Sequence, residues 1–382
     1  MDRVSRIISL TDSPNDAPGS GVVEVNLFGP GYGESILVHL GSNQWLIVDS
    51  CAPYDEADPI ALGYLRRIGV DPSSAVKYIV ATHWHDDHIR GFSRLVESCP
   101  QADVFISSAL THRPLMRLVR ANVPRHVTNL REMHRAIETL LSRPRRSGQP
   151  YSFLLENSAL HSALLHPGND VEIWALSPSS VDVREALRQI RFFLREEDRR
   201  TIPAVPNPRE NRASVVLHVR SGSQRLLFGA DREVQGSSAR GWTSVAACAA
   251  RRGLERATLL KVAHHGSPNG DSEIIWRDLL EEDPVAVLTP FKRGNEGGRP
   301  RADDIARLCA RTKWSFTTSA PGSVESPHFS PSEFVPEAEM AMGFEVVVEP
   351  AQPPLGHIRA RADNDGGPWS VDLMRPAAHL CG

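Results

Sequence analysis

Long apolar runs are missing from this chain of 382 residues. A bilayer-crossing helix needs about 20 consecutive apolar residues, and no such run occurs, so the sequence predicts no membrane contact. The apolar part of Met1-Asp2-Arg3-Val4-Ser5-Arg6-Ile7-Ile8-Ser9-Leu10 is too short for a signal peptide. Charge of one sign is lacking too. A net charge of −3 excludes a global bias towards polyanions, so any nucleic-acid contact must be local. Cysteine is sparse: Cys51, Cys99, Cys248, Cys309 and Cys381 are odd in number and show no paired spacing. That pattern excludes a Cys-type zinc site and a disulfide framework, and it predicts reduced thiols in a cytoplasmic protein, with Cys51 simply part of the core. Internal repeats and low-complexity segments are absent. The remaining composition, 41% hydrophobic and 23% charged, is that of an ordinary globular protein able to bury a large core as one extended domain.

What the chain does have is a dense set of metal donors. Thr82-His83-Trp84-His85-Asp86-Asp87-His88 places three imidazoles and two carboxylates directly after the apolar run Tyr78-Ile79-Val80-Ala81, at the end of a predicted strand. Where the chain leaves that strand, His83 and His85 can point the same way while Asp87 and His88 turn to a neighbouring position. One loop can thereby serve two adjacent ions.

Other segments follow in order. Val23 to Phe28 and Ser35 to Leu40 read as strands around the turn Gly31-Tyr32-Gly33-Glu34, and Trp45-Leu46-Ile47-Val48 leads into Asp49. Downstream, Arg225-Leu226-Leu227-Phe228-Gly229-Ala230 ends in Asp231, and Leu259-Leu260-Lys261-Val262-Ala263 runs into His264-His265-Gly266-Ser267. The pattern His-x-His-x-Asp-His resembles the signature of the metallo-β-lactamase-fold hydrolases. The wording of these motifs, with Asn211-Arg212-Ala213-Ser214 before a strand, is similar to the hydrolase domain of the ComEC/Rec2 competence proteins and their soluble stand-alone relatives.

This resemblance covers about residues 22 to 350 and implies an α/β fold, an αββα two-sheet sandwich with a helical insertion at about 105–200. An N-terminal extension (1–21) would precede it, and a C-terminal β-hairpin and tail (351–382) would pack on it, the hairpin joining Ile358 to Ala362 with Trp369 to Leu373. The resemblance also implies a site with two divalent metal ions, Zn²⁺ or Mn²⁺. His83 and His85 would hold one ion; Asp87, His88 and one of His264 or His265 the other, with Asp231 bridging. Asp49 would orient these groups from behind. Asp87, His264 and His265 are the candidate catalytic residues: a metal-activated hydroxide would attack, and the imidazole of the His pair left free would donate a proton or bind an oxyanion. One departure stands out. Many family members carry a further His where this chain has Asn211, which predicts a weaker first metal site, with the Asn211 amide bonding metal-bound water or holding its loop. His218 reads as a strand-face residue.

The insertion shows apolar residues at helical spacing in Leu115 to Val119, in Met133, Ile137, Leu140 and Leu141, and in Val183, Leu187, Ile190 and Leu194. Basic residues crowd the other faces: Arg143, Arg145 and Arg146, then Arg188, Arg191, Arg195, Arg199 and Arg200. Glu185, Glu196, Glu197 and Asp198 partly balance them, which favours a solvated face over a phosphate-tracking rim or a protein-docking surface. Ile202 to Pro208 reads as a loop over the site. Lys292, Arg293 and Arg299, on a Gly-rich loop, suit either substrate phosphate or a plain connection. The leading expectation is a phosphodiesterase or nuclease acting on nucleic acid or a nucleotide. The alternatives are a hydrolase of small esters, lactones or phosphocholine-type substrates, and a partner-docked effector of a bacterial defence system with conditional or no activity of its own.

Overall fold

The computed structural model of the protein describes residues 4–10, 15–29, 33–53, 57–110, 128–143, 151–162, 170–197, 210–291, 298–320 and 355–381. Its strands are apolar on both faces, and successive side chains leave opposite sides of a pleat, so each sheet must be covered twice. Val23, Val25 and Leu27 turn one way and Phe28 the other; Ile36 and Val38 oppose Leu37, and Leu46 and Val48 oppose Trp45 and Ile47.

Among the described residues, nine strands form the first sheet. Its order is β1 (Val4–Leu10), β16 (Trp369–Met374), β15 (Gly356–Asp363), β2 (Val22–Gly29), β3 (Ser35–His39), β4 (Trp45–Val48), β5 (Val76–Ala81), β6 (Asp103–Ser107) and β7 (Ser152–Leu154). The second sheet runs β17 (Ala378–His379), β14 (Ser315–Thr317), β13 (Leu280–Leu288), β12 (Ala257–Lys261), β11 (Gln224–Phe228), β10 (Leu217–Ser221), β9 (Val171–Ala175) and β8 (Ser158–His161). One core lies between the sheets, where Val25, Val38 and Val80 meet Leu226, Leu259 and Val287. A second joins the outer face of the first sheet to the helices Ile60–Arg67, Phe92–Ser98 and Thr128–Ser142, and a third joins the second sheet to Gly241–Arg252 and Ala302–Cys309. The fold is thus the expected αββα sandwich, two mixed sheets between helical layers.

The C-terminal hairpin enters this framework as sheet. β15 pairs antiparallel with β2 over its whole length, from Gly356 opposite Gly29 to Asp363 opposite Val22, while β1 runs parallel to β16. The insertion holds the helices Thr128–Ser142 and Ser180–Glu197, but β7, β8 and β9 within the same span extend both sheets. Met133, Ala136, Ile137 and Leu140 bury one face of the first of these helices. Arg143 ends its turn by donating to the carbonyls of Cys99 and Ala102 at 3.0 and 3.1 Å, a structural role. Arg188 pairs with Glu185 at 3.0 Å on an exposed face. Residues 115–119, Arg145, Arg146, Arg199, Arg200 and the loop 202–208 lie outside the described residues, as do the side chains of Arg191 and Arg195.

The expectation of five reduced thiols is corrected: Cys309 and Cys381 form a disulfide, with Cα atoms 5.5 Å apart. β17 turns back to pair with β14, bringing residue 381 to the end of the helix Ala302–Cys309, and a separation of 72 residues carries no sign of that return. Cys51, Cys99 and Cys248 are free and buried. No helix among the described residues is long and apolar enough to cross a membrane.

Candidate metal centre

β4, β5 and β6 run parallel, as do β11 to β14, so the C-terminal ends of several parallel strands open at one rim of the sandwich. Asp49 follows β4, the loop His83 to His88 follows β5, Asp231 follows β11, and His264 and His265 follow β12. Glu34 precedes the antiparallel β3 and comes to the same place. Gly33 lets it: a Cβ there would lie 2.0 Å from the carbonyl oxygen of Asp87, and the Glu34 N–H donates to that oxygen at 2.8 Å.

Hydrogen bonds set the orientation of the rings. Asp49, in a left-handed conformation (φ 60°), accepts the Thr82 N–H on Oδ1 at 2.7 Å. Its Oδ2 accepts both the Thr82 hydroxyl and Nδ1–H of His88, each at 2.7 Å. The Thr82 oxygen, its proton given to Asp49, accepts Nδ1–H of His83 at 3.0 Å, and His265 donates from Nδ1 to the Thr289 carbonyl at 3.0 Å. With Nδ1 protonated in all three rings, each Nε2 offers a lone pair.

Those Nε2 atoms converge on two carboxylates. His88 Nε2 lies 3.5 Å from Asp231 Oδ1 and 3.6 Å from Asp87 Oδ2, while His265 Nε2 lies 3.4 Å from Asp87 Oδ2 and 3.6 Å from Asp231 Oδ2. His83 Nε2 is 3.9 Å from Asp231 Oδ2 and 3.2 Å from Nδ1 of His85. Two donor groups result: Asp87, His88, Asp231 and His265, and His83, His85 and Asp231. Asp231 belongs to both. Asp49, His83 and His88 also approach one another, but Asp49 bonds the Nδ1 edge of His88 and reaches His83 through Thr82, so this trio orients rather than ligates.

Burial tests the fit to a cation. His88 Nε2 and Asp231 Oδ1 are buried without any hydrogen-bond partner, which costs about 1–3 kcal/mol per group if nothing lies between them. Tetrahedral zinc with bonds of about 2.0–2.1 Å places its donors about 3.3 Å apart, close to the separations found here. The His/Asp cluster therefore suits a divalent metal. Without one, a proton takes the place of the ion. Burial opposes charge on His88, but Asp231, Asp87, Glu34 and Asp49 outweigh it and raise its pKa well above the usual imidazole value. Burial alone would raise Asp231; His265, His88 and His83 hold it well below the carboxylate range. His83, by contrast, is pushed down by burial and by the neighbouring His88 and His85.

The His pair divides. His264 and His265 both adopt left-handed backbone, φ 49° and 53°, which splays their rings, with centroids 6.2 Å apart. His265 stands in the donor group. His264 does not: its Nε2 accepts from the Asn211 amide at 3.0 Å, and burial lowers its pKa. Among the described residues, the Asn211 side chain thus reaches the cluster through His264. His218 donates to the Glu255 carbonyl at 2.9 Å, a strand-face contact. Lys292 and Arg293 lie outside the described residues. Arg299 is bound to Asp304 at 2.7 Å, and its backbone pairs with Phe291, whose ring stacks on His265 at 4.8 Å.

The motifs did not flag Thr82, Thr289, Glu34, Lys261 or Arg232. Arg232, fully buried, pairs with Asp182 in the first turn of Ser180–Glu197 at 2.5 Å and donates to the carbonyl of Arg212, next to Asn211. Lys261 had a readable signal. Leu259 packs between the sheets and Leu260 outside, so the alternation puts a lysine on the core side.

Fold and cluster together define a metallo-β-lactamase-fold protein with a centre suited to divalent metal. A family model described as the metallo-beta-lactamase superfamily matches residues 28–113, a stretch holding Glu34, Asp49 and the whole loop His83 to His88. The chain also aligns with the metallo-beta-lactamase fold protein YhfI from Bacillus subtilis, at 13% identity and a TM-score of 0.33, over 70% of this chain and 85% of that one. MEM-A1, a subclass B3 metallo-beta-lactamase isolated from a soil metagenome library, aligns at 14% identity and 0.33, over 70% and 84%. A metallo-beta-lactamase from Pontibacter korlensis aligns at 14% and 0.31, over 64% and 87%. The class itself rests on the sheet order and the cluster. No curated protein matches the chain.

Proposed function

We propose that the protein is a metal-dependent hydrolase with two metal sites, acting on phosphodiesters of nucleic acid or nucleotides. The observation that carries the hydrolase reading is the arrangement of three imidazoles, each tied at Nδ1, with Nε2 of His88 and His265 turned onto Asp87 and Asp231 and that of His83 towards Asp231. His83, His85 and Asp231 would hold one ion, and Asp87, His88, Asp231 and His265 the other. Divalent metal supplies a water nucleophile at neutral pH and polarises the scissile group. The side chains do the rest. Asp49 and the Thr289 carbonyl keep the rings in the metal-binding tautomer. His264 would bind an oxyanion: burial keeps the ring neutral, the Asn211 amide occupies Nε2, and Nδ1–H is left as a hydrogen-bond donor for developing negative charge.

The substrate class is supported by the motif resemblance to the ComEC/Rec2 hydrolase domain, carried together by His83 to His88, Asn211 to Ser214, Phe228 to Asp231 and Lys261 to Ser267. A metal-supplemented screen against single-stranded DNA, duplex DNA, RNA, cyclic nucleotides and a lactone tests it. Cleavage of a phosphodiester is expected. Turnover of the lactone alone rejects the substrate class, and metal-loaded protein that cleaves none of them but co-purifies with a partner favours the docked-effector reading.

A further inference from the structure

Lys261 is fully buried, and its ammonium lies between Glu34 and the Ala230–Asp231 turn. It pairs with the buried Glu34 carboxylate, donates to the carbonyl of Ala230 at 3.2 Å and stands 4.0 Å from Asp231 Oδ1. Ala230 adopts a left-handed conformation (φ 45°) just before Asp231, and its carbonyl also accepts the backbone N–H of His264 at 3.0 Å. A non-glycine residue in that region is strained and persists only when its surroundings hold it. Glu34 extends the reach: its backbone N–H holds the Asp87 carbonyl, Thr289 donates its hydroxyl to Oε2, and its oxygens lie 3.8 Å from Nδ1 of His88 and of His265.

We propose that Lys261 is a positioning residue for the metal centre, locking the Ala230 turn that aims Asp231 and anchoring Glu34 beneath the Asp87 loop. The inference rests on the metal sites proposed above. Two effects of the ammonium on metal affinity have opposite sign, which makes the proposal decidable. As a bare charge 4.0 Å from a ligand oxygen it repels a cation, so its removal should tighten binding. As the anchor of the Asp231 turn it preorganises the donors, so its removal should weaken binding.

Metal-stripped wild type, Lys261→Met and the double variant Lys261→Met/Glu34→Gln are titrated with Zn²⁺ by calorimetry, and the Co²⁺-loaded proteins are compared by visible absorption. Lys261→Met is expected to bind Zn²⁺ about 10- to 100-fold more weakly, the range for partners that orient ligands, with shifted Co²⁺ bands. The double variant leaves no stranded carboxylate and serves where the single variant fails to fold; it is expected to show the same weakening. Zn²⁺ binding as tight as wild type or tighter in the folded variant, with an unchanged Co²⁺ spectrum, overturns the proposal. So does a double variant restored to wild-type affinity, which assigns the defect to unpaired Glu34. Wild type that takes up no metal overturns the metal centre itself, and this inference with it.

Discussion

Asp49 Oδ2 accepts Nδ1–H of His88 at 2.7 Å and, through the Thr82 hydroxyl, also governs Nδ1 of His83. One carboxylate dictates the tautomer of two imidazoles. Asp49→Asn would keep an acceptor for the Thr82 N–H but weaken the pull on both rings. Metal affinity should fall about 10- to 100-fold, with the fold intact by circular dichroism. Calorimetric titration showing wild-type affinity would remove Asp49 from the centre.

The two halves of the His pair should separate experimentally. His265→Ala is expected to lose bound metal, because Nε2 of His265 faces both Asp87 and Asp231. His264→Ala should retain the metal and lose turnover. Elemental analysis alongside rates decides; metal loss in the His264 variant reverses the assignment.

Metal uptake should depend on pH with a definite sign. His88 in the metal-free protein has a pKa raised well above the usual imidazole value, chiefly because Asp231 and Asp87 outweigh burial. The proton on His88 therefore competes with metal up to that raised value: affinity rises with pH through this range and falls as pH drops. Binding near pH ~7 releases protons. Calorimetry in two buffers of different ionisation enthalpy should give different heats, and equal heats would refute the exchange.

Asp182→Ala should destabilise the protein by about 3–5 kcal/mol, since it strands the fully buried Arg232 guanidinium. Pairing it with Arg232→Met should recover part of the loss. Urea melts that leave the single variant within error of wild type would show the pair to be dispensable.

Reduction of the Cys309–Cys381 bond opens a loop spanning 72 residues and should cost about 2–4 kcal/mol. Thermal melts with and without reductant read this directly. An unchanged melting temperature argues against a closed bond in solution.

The donors on the loop His83 to His88 were legible in sequence because nothing else explains so many at the end of a strand. The strands were legible too, since Val22–Gly29 and Trp45–Val48 are short, apolar and bounded by turn residues. The ligand in the pair His264-His265 was not, because it depends on two consecutive left-handed residues. Glu34 was hidden in a segment that reads as a turn, and its partner Lys261 is brought to it only by the stacking of two sheets. The disulfide was missed for the same kind of reason, a contact made by tertiary return rather than by spacing.

The pairing of β2 with β15 has a consequence for biosynthesis. Val22–Gly29 leaves the ribosome well before Gly356–Asp363, the strand that covers one of its edges. Through that interval the nascent chain carries an unpaired apolar strand edge, the kind of template that recruits other chains. Premature termination before Gly356 would leave that edge open, a template for pairing with other chains in place of β15.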